Sequence, residues 1–259
     1  MTVYLDEILA THREMAAEDN RSFEQLREEA MACSPTRGFE AALNNASQSK
    51  GAVIAEIKRR SPSKGNLRPT LDPLALARSY ATGGASCISV LTDQQYFGGS
   101  AFDLKAARMG CDLPVLRKDF TVDIRNICDA RIMGADAVLL IVSALEVSEL
   151  HDFISLAREL SLDALVEIHT AAELELAMAA GATLIGVNQR DLRTFEVDRN
   201  LALKLLPQFP TDAVKVAESA ISEPADARRL FEGGFDAILV GESFVKSSHP
   251  AEAVASFLA

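Results

Sequence analysis

From about residue 50 onward, one unit recurs along the chain: a short apolar strand, a loop, an amphipathic helix and a turn of small residues. Several helical patterns end at glycines, as in TGGAS, MGADA and EGGFDA, which is typical of helices that close in the left-handed conformation. Apolar strands that alternate with helices predict a parallel sheet covered on both faces. We expect eight strands, which begin near Ala52, Ser86, Pro114, Asp136, Asp163, Ala182, Val214 and Phe235.

Eight strand–helix units within residues 51–259 predict an α/β fold, a (β/α)8 TIM barrel near the lower size limit of that architecture. A doubly wound open sheet is the alternative. Neither G-x-G-x-x-G nor G-x-x-x-x-G-K-[ST] follows a strand, which removes the usual nucleotide-binding reason for that fold. Residues 1–50 fall outside the repeat and predict two or three helices, interrupted at Pro35 and Gly38. We expect this segment to be a helical extension packed on the barrel rather than a separate domain.

The charge balance limits the classes of partner. A formal net charge of -11 repels polyanions, so neither nucleic acid nor an anionic membrane is an expected partner. An anionic small molecule stays possible where positive charge is concentrated in a pocket. The four cysteines form no C-x-x-C motif, and no apolar run approaches the roughly 18 residues of a membrane span. Without a targeting signal, the expected location is the cytoplasm.

Charged and polar residues follow the apolar runs of the predicted strands. In a barrel of this kind the active site lies at the carboxyl ends of the strands. These residues are Glu56 and Lys58 after the first strand, Lys118 after the third, Glu167 after the fifth, Asn188 and Arg190 after the sixth, and Glu218 and Ser219 after the seventh. Lysines and glutamates at several strand ends predict a converging acid/base site. Ion pairs that merely fix the rim of the barrel are the alternative.

Two loops add candidates for anion binding. The stretch KRRSPSKG follows the first strand and predicts a roughly 14-residue loop that brings positive charge over the barrel mouth. The stretch LVGESF ends the eighth strand at Gly241, where barrels often bind phosphate through backbone N–H groups. Lysines interleaved with the carboxylates would repel a cation, so we predict no metal and no cofactor. His169 is expected to make an end-of-strand hydrogen bond rather than to bind a metal.

Six motifs lie in order on the predicted strands: EIKRRSPSKG, VLRKDF, LVEIH, GVNQRDL, AESAI and LVGES. With them the chain resembles the indole-3-glycerol phosphate synthase family, from the helical N-terminus to the eighth strand. The resemblance implies a carbon–carbon lyase of tryptophan biosynthesis that acts on 1-(2-carboxyphenylamino)-1-deoxyribulose 5-phosphate. The aryl carbon attacks the ketose carbonyl, CO2 leaves, and loss of water completes the indole ring. It also leaves open an association with other enzymes of the tryptophan pathway.

The resemblance also implies roles for the strand-end residues. Lys118 is the general acid that protonates the carbonyl oxygen, Glu167 is the general base of the dehydration, and Lys58 holds the substrate carboxylate and is an alternative acid. We expect neighbouring cations to lower the pKa of the acid lysine towards neutrality. Of the remaining positions, Glu56 and Asn188 orient the reacting atoms and Glu218 assists through the hydroxyl groups. The residues that contact the substrate are Ser61, Arg190, Ser219, Ala220, Gly241, Glu242 and Ser243, of which the last five lie in the loops expected to bind phosphate.

One position departs from the family pattern. Where the family commonly has glycine after Glu-Ser at the seventh strand, this chain has Ala220. We expect Ala220 to adopt a negative φ, or the phosphate to be displaced. Two other functions are alternatives. A phosphoribosylanthranilate isomerase would need a cysteine base near the first strand, where this chain has Glu56 and Lys58, and a non-catalytic phosphate-binding barrel would not need Lys118 or Glu167.

Overall fold

The computed structural model describes residues 4–259, and its first strand is preceded by three helices. These are α1 (Tyr4–Glu18), α2 (Phe23–Met31) and α3 (Phe39–Ser47). Ser22 begins α2, because its side chain accepts a hydrogen bond from the Gln25 N–H. Gly38 precedes α3 with a φ of 70°, a conformation that glycine adopts without a Cβ clash.

Eight parallel strands form a closed barrel in which each strand pairs with the next and the last pairs with the first. The strands are β1 (Ala52–Ile57), β2 (Cys87–Leu91), β3 (Val115–Lys118), β4 (Ala137–Ile141), β5 (Asp163–Ile168), β6 (Leu184–Asn188), β7 (Val214–Glu218) and β8 (Ala237–Val240). The predicted (β/α)8 barrel is therefore confirmed, with strand starts that differ from the expected ones by about two residues or less.

Nine helices follow β1 within the described chain. They are α4 (Pro73–Thr82), α5 (Ala101–Gly110), α6 (Arg125–Met133), α7 (Val147–Glu159), α8 (Ala171–Ala179), α9 (Leu201–Leu205), α10 (Pro224–Gly233), α11 (Glu242–Lys246) and α12 (Pro250–Phe257). Of the helices within residues 4–259, none is long and apolar enough to cross a bilayer.

Apolar residues of the strands fill two layers. Ile54 of β1 lies in the cluster inside the barrel, whereas its neighbours Val53 and Ala55 lie in the cluster between strands and helices. This division follows from the alternation of side chains along a strand. Phe39 and Leu43 of α3 are fully buried and belong to the inner cluster. The inner core therefore includes a helix from before the barrel.

The helices before β1 contact both ends of the barrel. At the amino end of the strands, the Glu40 N–H of α3 donates to the Asp163 carboxylate, at the start of β5, over 2.9 Å. At the opposite end, the Arg13 guanidinium of α1 donates to both carboxylate oxygens of Glu149 and to the Val122 carbonyl. These contacts place α3 beneath the barrel and α1 beside its mouth.

Candidate active site

A cavity of about 620 Å³ opens at the carboxyl ends of the strands. It is lined by every residue that the sequence places at the site: Glu56, Lys58, Ser61, Lys118, Glu167, Asn188, Arg190, Glu218, Ser219, Ala220, Gly241, Glu242 and Ser243. A closed parallel barrel brings all strand ends to one face, which explains why residues far apart in the sequence meet there.

Strand parity and register aim the central side chains into this cavity. Asn188 and Glu218 are the last residues of β6 and β7 and lie side by side in the strand register. Lys118 is the last residue of β3, and its ammonium group crosses the barrel to Glu167 on β5. The apolar residues before them fill the barrel, so the polar ones form its upper layer.

The centre of the site is a cluster of one ammonium group and two carboxylates. The Lys118 Nζ lies 3.2 Å from Glu167 Oε2 and 3.9 Å from Glu218 Oε2. The amide of Asn188 donates to the other Glu167 oxygen over 3.0 Å. Both glutamates are only 2% exposed, so their interactions are little screened by water. Lys58 forms a separate, very short ion pair with Glu56.

The expected lowering of the Lys118 pKa is wrong. Burial alone would lower the pKa of this ammonium group, but the carboxylates of Glu167, Glu218 and Glu56 outweigh it and raise the pKa above the ordinary lysine value. The strand-end cations do not surround Lys118, because barrel closure places three glutamates around it instead. Lys118 is therefore held in its protonated form.

The pKa of the Glu218 carboxyl group is raised as well, but for a different reason. Burial, followed by repulsion from the charge of Glu167, raises its pKa well above the ordinary carboxyl value, and the attraction of Lys118 compensates only in part. The neutral acid is therefore favoured at Glu218. The cavity holds a proton donor at Lys118, a carboxyl group of raised pKa at Glu218, and an acceptor at Glu167, which receives hydrogen bonds from Lys118 and Asn188.

Six cationic side chains line the cavity despite the acidic chain, together with the carboxylates of Glu56, Asp119, Glu167, Glu218 and Glu242. The cationic side chains that line it are Lys58, Lys64, Lys118, Arg190, Arg199 and Lys246. In the loop after β1, Arg59 and Arg60 have a different part. Arg59 forms an ion pair with Asp103, and the Arg60 guanidinium donates to the carbonyl groups of Gln94 and Gln95. These two arginines hold the loop, while Lys58 and Lys64 provide its charge to the cavity.

The loop after β7 contains two consecutive residues in the left-handed region. Ser219 has a φ of 65° and Ala220 a φ of 56°. The expectation of a negative φ at Ala220 is therefore wrong. The backbone keeps the conformation that suits glycine, and the alanine adopts it with strain from its Cβ.

Sequence reasoning missed the apolar part of the cavity. It includes Leu5 and Ile8 of α1, Phe97 after β2, and Phe120 after β3. The amphipathic pattern of α1 was a signal for the first two, and Phe120 lies two residues after Lys118 in the LRKDF motif. An apolar wall beside an ionic cluster can bind the aromatic part of a ligand and leave its charged groups to the rim.

Within residues 4–259, one group of side chains has ligand atoms close enough together for a metal: those of His12, Asp93 and Asp119 lie within 4.8 Å of one another. Their atoms already have partners, because Asp93 binds His12 and Asp119 forms an ion pair with Arg117. We interpret the group as a hydrogen-bonding network between α1 and the barrel. His169 makes the hydrogen bond expected of it, 2.7 Å from the Asn188 carbonyl oxygen to Nδ1.

Known proteins are similar to this chain along nearly its whole length. A family model described as indole-3-glycerol phosphate synthase matches residues 5–257. An indole-3-glycerol phosphate synthase of Laribacter hongkongensis is 48% identical and covers 100% of both chains. The synthase of an Arthrobacter species is 49% identical over 100% of this chain and 96% of its own. That of Bordetella pertussis is 48% identical over 98% of this chain and 95% of its own.

Solved structures with lower sequence identity share the fold. A thiamine phosphate pyrophosphorylase from Pyrococcus furiosus aligns with a TM-score of 0.60 at 16% identity, over 81% of this chain and 95% of its own. An N-acetylmannosamine-6-phosphate 2-epimerase from Clostridium perfringens aligns with a TM-score of 0.59 at 14% identity, over 76% of this chain and 89% of its own. These likenesses extend to the architecture alone. The match over residues 5–257 and the full-length relatives establish that the chain belongs to the indole-3-glycerol phosphate synthase family.

Proposed function

We propose that this chain closes the indole ring of 1-(2-carboxyphenylamino)-1-deoxyribulose 5-phosphate, with loss of CO2 and water, to form indole-3-glycerol phosphate. The observation that carries the assignment is the contact of Lys118 with Glu167, 3.2 Å apart, in a cavity with an apolar wall and a cationic rim. The arrangement supplies a proton donor, a proton acceptor and complementary surfaces for an aromatic dianion.

Lys118 is the general acid of ring closure. As the aryl carbon attacks the ketose carbonyl, negative charge develops on the carbonyl oxygen, and a proton from the Lys118 ammonium group converts it to a hydroxyl group. The neighbouring carboxylates make Lys118 a weaker acid in the free protein. The transfer stays favourable, because an alkoxide is a stronger base than a lysine amine. Breakage of the bond to the carboxyl group then releases CO2 and restores the aromatic ring.

Glu167 is the general base of the dehydration. It accepts the proton that the five-membered ring loses, while the hydroxyl group takes up a proton from the Glu218 carboxyl group and leaves as water. The hydrogen bond from Asn188 fixes the orientation of the Glu167 carboxylate, and Glu218, whose neutral form is favoured, can donate to a substrate hydroxyl group. General acid–base catalysis of this kind contributes about 10^2 to 10^4 in rate.

The two substrate anions bind at different places on the rim. Lys58 takes the benzoate carboxylate in exchange for part of its ion pair with Glu56. The phosphate binds between the loop of Ser219 and Ala220 and the loop of residues 241–243, with Ser61 and Arg190 as further contacts. The lining supports this assignment: its six cations against five carboxylates give a small positive balance, whereas the chain has a net charge of -11, so an anion is repelled less in the cavity than elsewhere on the protein.

The two alternative functions have less support. An isomerase needs a cysteine base near the first strand, and the position holds the Glu56–Lys58 ion pair. A non-catalytic barrel gives no reason for the contact between Lys118 and Glu167, which takes two charges out of water. We further infer that residues 1–50 are an extension of the 51–259 barrel. A cytoplasmic location and an association with other enzymes of tryptophan biosynthesis stay predictions.

The test is to mix purified protein with the substrate and to follow indole absorbance and fluorescence. The chain contains no tryptophan, so the product fluorescence rises over a low background. Lys118→Met is the matched control, with circular dichroism to show that it is folded. Ring closure by the wild-type protein and its loss in the variant would support the assignment. A folded wild-type protein that forms no indole product would refute it.

A further inference from the structure

Gln189 is a buried polar residue outside the cavity lining. It follows Asn188 at the end of β6, and only 1% of its surface is exposed. Its side-chain Nε2 donates to the Ser219 carbonyl oxygen over 3.0 Å, and its backbone N–H donates to the Glu218 carbonyl oxygen over 3.0 Å. One residue therefore binds two consecutive carbonyl groups at the end of β7.

The second of these carbonyl groups belongs to the peptide that joins Ser219 to Ala220. Both residues have a positive φ, which is a strained conformation for a non-glycine residue. Such a conformation persists only where the surroundings determine it. A trans peptide is planar, with its C=O and N–H pointing in opposite directions. The hydrogen bond from Gln189 therefore also fixes the Ala220 N–H, which points away from Gln189.

The amide of Gln189 is held at a cost. Its Oε1 is buried and has no hydrogen-bond partner among residues 4–259. An unsatisfied buried acceptor is unfavourable, because it has lost its hydrogen bonds to water. A purely apolar side chain would avoid that cost. The amide is therefore explained by its donor, which binds the Ser219 carbonyl oxygen.

We propose that Gln189 is a positioning residue for phosphate binding: it holds the peptide between Ser219 and Ala220 in the orientation that presents the Ala220 N–H to the phosphate. The proposal rests on the proposed function, in that the phosphate binds at this loop. Gln189 itself does not touch the substrate. Its effect is on affinity, because the reacting carbonyl lies at the Lys118–Glu167 end of the cavity.

The first experiment uses Gln189→Met, which keeps the length of the side chain and removes the donor. KM for the substrate and the inhibition constant of inorganic phosphate should both rise by about tenfold, while kcat stays within about twofold. Gln208→Leu, at an exposed glutamine, is the matched control and should change neither constant. Unchanged phosphate inhibition in folded Gln189→Met would overturn the proposal, and so would a fall of kcat at constant KM.

A second experiment separates an effect on the loop from general damage. Ala220→Gly removes the Cβ strain, so the loop depends less on Gln189. In the Ala220→Gly background, Gln189→Met should raise the phosphate inhibition constant by less than about threefold. A penalty of equal size in both backgrounds would overturn the proposal. If Gln189→Met alone does not fold, the comparison is made in the glycine background, where a penalty of tenfold or more would count against it.

Failure of the proposed function has a different signature. Protection of the thermal midpoint by inorganic phosphate measures binding without ring closure. A wild-type protein that binds phosphate but forms no indole product would refute the function, and Gln189→Met would still test the loop. Normal ring closure together with equal phosphate protection of wild type and Gln189→Met would refute the role of Gln189 alone.

Discussion

Replacing Ala220 with glycine should stabilise the barrel, although the same replacement in a helix destabilises it. Ala220 has a φ of 56°, so its Cβ carries a strain of about 1–2 kcal/mol that glycine removes. Glycine also increases the entropy of the unfolded chain, which costs about 0.4–1 kcal/mol. The difference between the middle values predicts a gain of about 0.8 kcal/mol in the free energy of unfolding, or about 2 °C in Tm for a chain of this size.

The control has the same chemical change at a relaxed position. Ala10 is exposed within α1, where alanine to glycine costs about 1 kcal/mol. Urea denaturation and thermal melting of the two variants should therefore give shifts of opposite sign. KM of Ala220→Gly should stay within about threefold of wild type, since Gln189 still holds the neighbouring carbonyl. If Ala220→Gly is destabilised as much as Ala10→Gly, the strain argument fails.

Four further predictions concern the ionic cluster and α1. Lys118→Met should remove nearly all turnover while circular dichroism shows a folded barrel, because general acid catalysis contributes about 10^2 to 10^4 in rate. If the variant keeps more than a tenth of wild-type activity, the general acid is another residue. Glu167→Gln should lose turnover, while its affinity for the substrate, measured in a binding assay, stays within about tenfold of wild type. Lost affinity with preserved turnover would make Glu167 a binding residue. Because the pKa of Glu218 is raised in the folded protein, its protonation contributes stability that is fully present below pH 4.5, the ordinary pKa of the group. This contribution is lost as the pH rises through the raised pKa. Urea denaturation of Glu218→Gln should therefore show a smaller loss of stability from pH 5 to 8 than wild type, and identical pH profiles would contradict the assignment. Removal of residues 1–20 should raise KM, because α1 contributes apolar residues to the cavity wall, and unchanged kinetics would show that this wall does not contact the substrate.

The location of the site could be predicted from the sequence because it depends on two periodic patterns, the strand–helix repeat and the alternation of side chains along each strand. The strand–helix repeat predicts a parallel barrel, and a parallel barrel brings every strand end to one face. Alternation along each strand then decides which side chains point inward, as for Glu167, whose neighbours Val166 and Ile168 lie in the outer core. These rules need no distances. They placed residues from six strands around one cavity.

The electrostatics of the site depend on distances between strands that are not adjacent. The pKa of Lys118 follows from contacts to β5 and β7, and a list of strand ends cannot say whether a lysine meets cations or carboxylates. Strand order alone does not give these contacts, because β3 pairs only with β2 and β4. The lysine crosses the interior to reach them, so side-chain length and barrel diameter decide its partners.

The prediction of a negative φ at Ala220 was wrong for a related reason. Local preference favours a negative φ for alanine by about 1–2 kcal/mol. The structure instead places Ser219 and Ala220 in the left-handed region, with a hydrogen bond from Gln189, 30 residues earlier in the chain. A single tertiary hydrogen bond of about 1 kcal/mol, together with the ladder bond of the same residue to Glu218, is comparable to that local preference. Where local and tertiary terms are so closely matched, the residue at 220 alone cannot determine the conformation of the loop.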